Sequence, residues 1–242
     1  MTVEVCAARV EAGDPDRFAA VMATPAALRA RLWPLYAVNL EIARAPWASA
    51  EPMIAEMRLQ WWVDALDALA QEGREPAHEI GAAMAVLRPV APALAGIAEA
   101  RRRDCWREPF ADAGALWDYL DGTSGALYAA AGELLGTPAG ALRDYGRAAG
   151  LAAWFLAVPE LESRGVAPLP GDQAGLAGEG LALLDRSWRA LPRAARAAAL
   201  PGWEARQILD RARRTPEKIR GGDLRGSEFS RRFSLLRAVF QA

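Results

Sequence analysis

The segment GRAAGLAAWFLAVPELESRGVAPLP, Gly146 to Pro170, decides how this chain is read. It runs as a helix into a Gly/Pro-rich exit, in the cadence of a catalytic segment. Yet its first acid is Glu160, and Gly150, Ala153, Ala157 and Leu161 stand where a catalytic helix could carry amides and aspartates. It is either an active-site helix stripped of its chemistry or an ordinary buried helix.

Around it, helix signals recur and strand signals do not. Thr24-Pro25 reads as an N-cap with Pro in the first turn, and Leu28, Leu32, Leu35 or Tyr36, and Asn39 or Leu40 follow at helical spacing. Pro34 predicts a kink in that helix, and Ser49 can cap the next. EPMIAEMRLQWWVDALDALA, from Glu51, predicts an amphipathic helix with Ile54, Met57, Trp61, Leu66 and Leu69 on one face and Trp61 or Trp62 as a buried anchor. Further helices are expected over 78–88, 91–105, 112–135, 138–158, 173–191, 203–214 and 227–240. Gly136 reads as a helix stop and Thr137-Pro138 repeats the cap-plus-Pro signature. Gly171 to Gly180 is too short for a domain linker, so one all-α domain over 1–242 is the economical reading.

Composition bounds the function. Lys+Arg 29 against Asp+Glu 30 leaves a net charge of −1, so no global field favours nucleic acid. A hydrophobic fraction of 52% is ample for a core. Cys6 and Cys105 make neither a metal spacing nor a disulfide framework, which suits a reducing cytoplasm. The first residues lack a signal-peptide pattern. The apolar run Ala148 to Pro159 is far short of the roughly 20 residues of a membrane span, which leaves peripheral membrane contact open.

Few side chains suggest chemistry. His78, the lone histidine, reads as a surface or cap residue. Cys105 follows Arg101, Arg102 and Arg103, whose charge could lower its pKa, although a plain helix-end cysteine is the favoured reading. Asp64/Asp67 and Asp118/Asp121 are i,i+3 pairs of the kind that can hold Mg²⁺ against a diphosphate, but solvated helix faces carry such pairs routinely. In DYLDGTSGALYAAAGELLG, Asp118 to Gly136, glycines inside a helix each cost about 1 kcal/mol relative to Ala. They call for close helix packing, a kink or a nearby ligand chain, with packing the simplest account.

At this point the sequence resembles the squalene/phytoene synthase family, the head-to-head prenyl transferases. LWPLYAVNLEIARAPW is similar to that family's first motif, L-Y-A-F-C-R-x-x-D-D-x-x-D, with Tyr36 and Ala37 matching. The opening segment lies without gaps on the second, G-x-A-x-Q-L-x-N-I-L-R-D-V-x-E-D-x-x-x-G-R-x-Y-L-P. Gly146, Ala148, Val158, Glu160, Gly165, Leu169 and Pro170 match in register. The resemblance implies an isoprenoid-synthase-like helical bundle around a central cavity, with the two motif helices facing across it. In that family paired aspartates hold Mg²⁺ ions that grip the diphosphate leaving group. Here the acidic positions of the first motif fall on Ala43, Arg44 and Trp47. In the second, the amides fall on Gly150 and Ala153, the aspartates on Ala157 and Leu161, and the arginine on Leu156. Arg44 could bind a phosphate but cannot ligate a metal.

YAVNLEIAR and MIAEMRLQWWVDAL are also similar to the family's non-catalytic branch, which includes the mitochondrial assembly factor for respiratory complex I. Three expectations follow. The leading one is a pseudoenzyme acting in complex I assembly with no metal cofactor, partnered by a complex I subunit or assembly intermediate, cytoplasmic or peripheral at the inner membrane. The second is a prenyl transferase that uses Mg²⁺ through displaced acids at 64, 67, 118 or 121. The third is a carrier of an isoprenoid or lipid ligand in the old cavity.

Overall fold

A computed structural model describes residues 2–138 and 140–241, all in helices, turns and connections with no strand among them. The all-α expectation holds. Contacts group the chain into two compact units, residues 1–106 with 130–138, and residues 107–129 with 139–242.

The first unit opens with two helices absent from the expectation, α1 (Thr2–Gly13) and α2 (Pro15–Met22). Val3, Val5 and Val10 favour strand on propensity, but Cys6 and Val10 lie four apart and bury completely as α1 packs against α3 (Ala26–Arg44). Asp14 caps α2 by accepting the Arg17 amide N–H at 3.0 Å. Thr24 does not cap α3: its hydroxyl donates to the Val21 carbonyl at 2.7 Å and so closes α2. Pro34 lies inside α3, which continues through it to Arg44. Its missing N–H leaves one carbonyl of the preceding turn without its helical donor.

A short 3₁₀ turn, Ala45–Trp47, leads to α4 (Pro52–Glu72). Ser49 accepts the Glu51 amide at 3.1 Å, one turn ahead of the helix. The left-handed Gly73 (φ 71°) ends α4 and donates its N–H to the Ala68 and Leu69 carbonyls. The buried stripe of α4 is Ala55, Leu59, Trp62, Leu66 and Leu69. This corrects the expected face: Ile54, Met57 and Trp61 are exposed. Apolar residues occupy two neighbouring stripes, and packing against α5 (Ala91–Ala100) selects one.

Between them, Gly81–Val90 is a 3₁₀ helix rather than the expected α-helix. Gly81, Met84, Leu87 and Val90 are buried at a strict spacing of three, the repeat that a 3₁₀ helix eclipses onto one face. α6 (Arg102–Trp106) follows. The stretch Gly81–Trp106 is long and apolar enough to cross a membrane by length and composition, and 56% of its most apolar window is buried.

The second unit begins with α7 (Ala113–Leu120), capped by Asp112, which accepts the Ala115 N–H at 2.8 Å. The expected helix over 112–135 is interrupted by a π-helical turn, Asp121–Gly125, before α8 (Ala126–Leu134), a helix divided between the units. Gly136 (φ 74°) stops α8 as expected. The Thr137 amide returns to the Gly132 carbonyl at 2.8 Å, so Thr137 serves the end of α8, while Ala139, at the expected start of the next helix, lies outside the described residues.

α9 (Gly140–Ser163) is the hub of this unit. Against it pack α7, the π turn, α10 (Gln173–Ala190), α11 (Arg196–Ala199), α12 (Ala205–Arg214) and α13 (Glu217–Gly221). α14 (Glu228–Gln241) closes the described chain.

Candidate functional site

The motif residues of the first unit lie on α3 and the turn after it. Tyr36 is fully buried under the Arg17 guanidinium, 5.0 Å from its ring centre, and burial pushes its hydroxyl up to about 12. Ala43 and Trp47 are half-buried and Arg44 is exposed. Asn39 is buried. Glu41, the acid inside the motif segment, is bound by Arg9 at 2.5 Å, and Arg9 also bridges Glu79. These hydrogen bonds, led by the one Arg9 donates to Glu41, hold the Arg9 guanidinium above its ordinary pKa. Glu41 is therefore already engaged in an ion pair with Arg9.

Arg44 borders a cavity of about 260 Å³ that also touches Glu41, Arg58, Trp61, Trp62 and His78. The His78 ring lies 5.1 Å from Trp62 and 5.9 Å from Trp61, and its Nδ1 accepts the Ile80 N–H at 3.4 Å. His78 sits half-buried in an aromatic cradle that local sequence did not indicate, and it does not cap the following 3₁₀ helix, whose N-cap, Ile80, has no side-chain cap bond. Arg58 was missed as a cavity residue. Its i,i+3 and i,i+4 spacing from Trp61 and Trp62 was the available signal.

On α9, Gly150 and Leu161 are buried, Ala157 is half-buried and Ala153 is exposed. The amide position at Gly150 is closed. A Cβ built there would stand 2.5 Å from the Ser124 Cβ and 2.6 Å from its Oγ, closer than side-chain atoms approach. At Gly146 a Cβ would meet the Tyr128 Cβ at 2.7 Å and the Ser124 carbonyl oxygen at 2.8 Å. The small-residue helix is thus explained by packing: its π turn presses directly onto α9. Ser124 escaped the sequence reading, although glycines at 146 and 150, one helical turn apart, carry that information.

The exit of α9 is also structural. The Val166 N–H returns to the Leu161 carbonyl at 3.0 Å, with Gly165 left-handed (φ 79°). Trp154 donates its indole N–H to the Pro168 carbonyl at 2.9 Å and packs with Phe110 and Tyr119. Glu160 pairs with Arg164 at 2.7 Å and Glu162 with Arg220 at 2.8 Å, both toward solvent.

The other acids do not assemble either. Asp64 and Asp67 are exposed on α4, and Asp64 accepts from Gln60 at 2.6 Å. Asp118 is exposed. Asp121 has both oxygens engaged by Arg143, at 2.8 and 2.6 Å, and that pairing holds its carboxyl below the ordinary range. Among the described residues, no group of three or more His, Cys, Asp or Glu could hold a metal ion. Magnesium needs hard oxygen donors, so the Ala, Leu and Trp side chains at the motif positions do not fit it. The cysteines are inert for a different reason. Burial pushes both Cys6 and Cys105 up to about 11, and at Cys105 it outweighs the lowering effect of Arg102.

This arrangement of helices belongs to a known class. The squalene/phytoene synthase family model matches residues 10–173, and the chain belongs to that family. The whole fold is the isoprenoid-synthase one. It is similar to a dehydrosqualene synthase crystallised with a ligand, at TM-score 0.80 and 14% identity over 98% of this chain and 95% of that one. It is also similar to squalene synthase HpnC from Alicyclobacillus acidocaldarius, at TM-score 0.74 and 16% identity over 89% of this chain and 94% of that one. No curated protein matches the sequence.

Proposed function

We propose that this chain is a squalene/phytoene synthase-family protein without prenyl-transfer chemistry. Its role is in the assembly of respiratory complex I, bound to a subunit or assembly intermediate at the inner membrane, and it uses no metal. The observation that carries the first half is the donor set. The motif positions expected to be acidic hold Ala43, Arg44, Trp47, Ala157 and Leu161, and none of these can act as an anionic ligand. The assembly role rests on the similarity of YAVNLEIAR and MIAEMRLQWWVDAL to the non-catalytic branch.

The runner-up is a prenyl transferase; the two structural neighbours are named a dehydrosqualene synthase and a squalene synthase. At 14% and 16% identity those neighbours support the fold alone. Displaced acids serve that reading poorly, since Asp121 is already held by Arg143 and Asp64 and Asp67 point to solvent. An isoprenoid or lipid carrier keeps the fold without needing the metal, and a lipid co-purifying with the protein would favour it.

Deleting the gene in its source organism tests the proposal. Expected is a loss of NADH:ubiquinone oxidoreductase activity with an unchanged isoprenoid profile, restored by the wild-type gene. An intact complex I together with a missing isoprenoid product would overturn it.

A further inference from the structure

The outer face of α14 is apolar and uncovered. Phe229, Phe233, Leu236 and Phe240 are 81, 60, 52 and 80% exposed. At about 100° per residue they form one stripe roughly 60° wide and about 16 Å long. The helix is held from its other side by polar contacts. Arg231 pairs with Glu204 at 2.8 Å, Gln207 donates to the Ser234 hydroxyl, and Arg196 donates to the Gln241 carbonyl at 2.7 Å. The polarity is inverted relative to an ordinary surface helix, which buries its apolar stripe. Repacking α14 the other way round would strand these partners.

The rim of the stripe indicates the occupant. Arg232 and Arg237 are exposed and flank it on opposite sides. The one acid of the helix, Glu228, is already paired with Arg231 at 3.0 Å and Arg232 at 3.2 Å. A second copy would bring basic rim against basic rim. An anionic surface would satisfy the rim and bury the stripe together. Aromatic residues on one face with arginines at its edges are the pattern of a helix lying in a bilayer interface.

We infer that α14 docks this protein onto an anionic lipid bilayer, with Phe229, Phe233, Leu236 and Phe240 entering the acyl boundary and Arg232 and Arg237 on the headgroups. The inference deepens the membrane-peripheral part of the proposed function. It is read in vitro, so its failure leaves the complex I reading standing, and a failure of that reading leaves vesicle binding unchanged.

The test is sedimentation of the full chain with phosphatidylcholine vesicles, with and without phosphatidylglycerol. Expected is binding to the anionic vesicles only, weakened by salt. The R232Q/R237Q double variant should bind at least about tenfold more weakly, from roughly fivefold per arginine. A variant with serine at 229, 233, 236 and 240 should not bind, while its circular dichroism melt matches wild type. If that variant misfolds, the arginine pair still decides the question. Equal binding to neutral vesicles, no vesicle binding, or a dimer abolished by the serine changes without vesicle binding would each overturn the inference. So would capture by an acidic protein partner in the absence of any lipid binding.

Discussion

At the scale of single residues, Gly150 separates two accounts of the missing amide. If the position were merely vacated, a glutamine would fit. The contact with Ser124, 2.5 Å from a would-be Cβ, says it would not. Gly150→Gln gains up to about 1 kcal/mol in helix propensity but overpacks a rigid contact at about 1–3 kcal/mol, so a lower melting temperature is expected. Ala153→Gln, at an exposed site, should melt close to wild type. In a double-mutant cycle, Ser124→Gly should recover part of the loss of Gly150→Ala. An unchanged Gly150→Gln melt would show that the π turn can yield.

Asp121 gives a pH test. Its folded carboxyl titrates below the unfolded value because Arg143 donates to it. The stability it contributes is therefore complete above the ordinary aspartate range near pH ~4 and lost as pH falls through the folded value. The pair is partly exposed, with side chains 47% and 33% accessible, so screening limits it to about 1 kcal/mol or less. Asp121→Asn should melt slightly lower at pH 7, and the gap should close in acid. A gap that persists at low pH would assign the effect to packing.

At the scale of elements, α4 shows why a hydrophobic stripe can be misread by one residue. Trp61 and Trp62 are adjacent and equally apolar, yet Trp62 is 4% exposed and Trp61 41%. Local periodicity cannot choose between neighbouring stripes. Contact with α5 does. Trp62→Ala should cost about 3–5 kcal/mol. Trp61→Ala should cost clearly less, chiefly its edge-on contact with Trp62 at 4.8 Å. Equal losses in chemical denaturation would contradict this assignment. The 3₁₀ helix at Gly81–Val90 is the converse case. Its spacing of three was legible in the sequence and differs from the 3.6 of an α-helix, but the stretch is also long enough to pass for one.

At the scale of the whole molecule, catalysis should be absent. Stabilising the departing diphosphate is the main work of such a site, and a bound metal supplies several kcal/mol of it. Each ~1.4 kcal/mol lost slows the step tenfold. Pure protein with labelled farnesyl or geranylgeranyl diphosphate and Mg²⁺ should yield no head-to-head product. A robust product abolished by Asp→Asn at 64, 67, 118 and 121 would establish the transferase instead. The cysteines, both in the first unit, report its integrity. With both thiols raised to about 11 by burial, alkylation near neutral pH should be slow in the native state and fast in denaturant. Rapid native labelling would reveal an opening of the first unit.

The sequence by itself determined the helical class, most helix positions after residue 24, the family, and the identity of the side chains at the motif positions. These depend on local periodicity, on Gly and Pro punctuation, and on a register of spaced matches, all of which are properties of the chain read in order. Only the tertiary structure decided that α1 and α2 are helices, which stripe of α4 is buried, that Glu41 belongs to Arg9 and Asp121 to Arg143, and that Ser124 closes the position of Gly150. Each of those depends on a partner distant in the sequence. Burial, ion pairing and steric exclusion are set by that partner, and no local pattern encodes it.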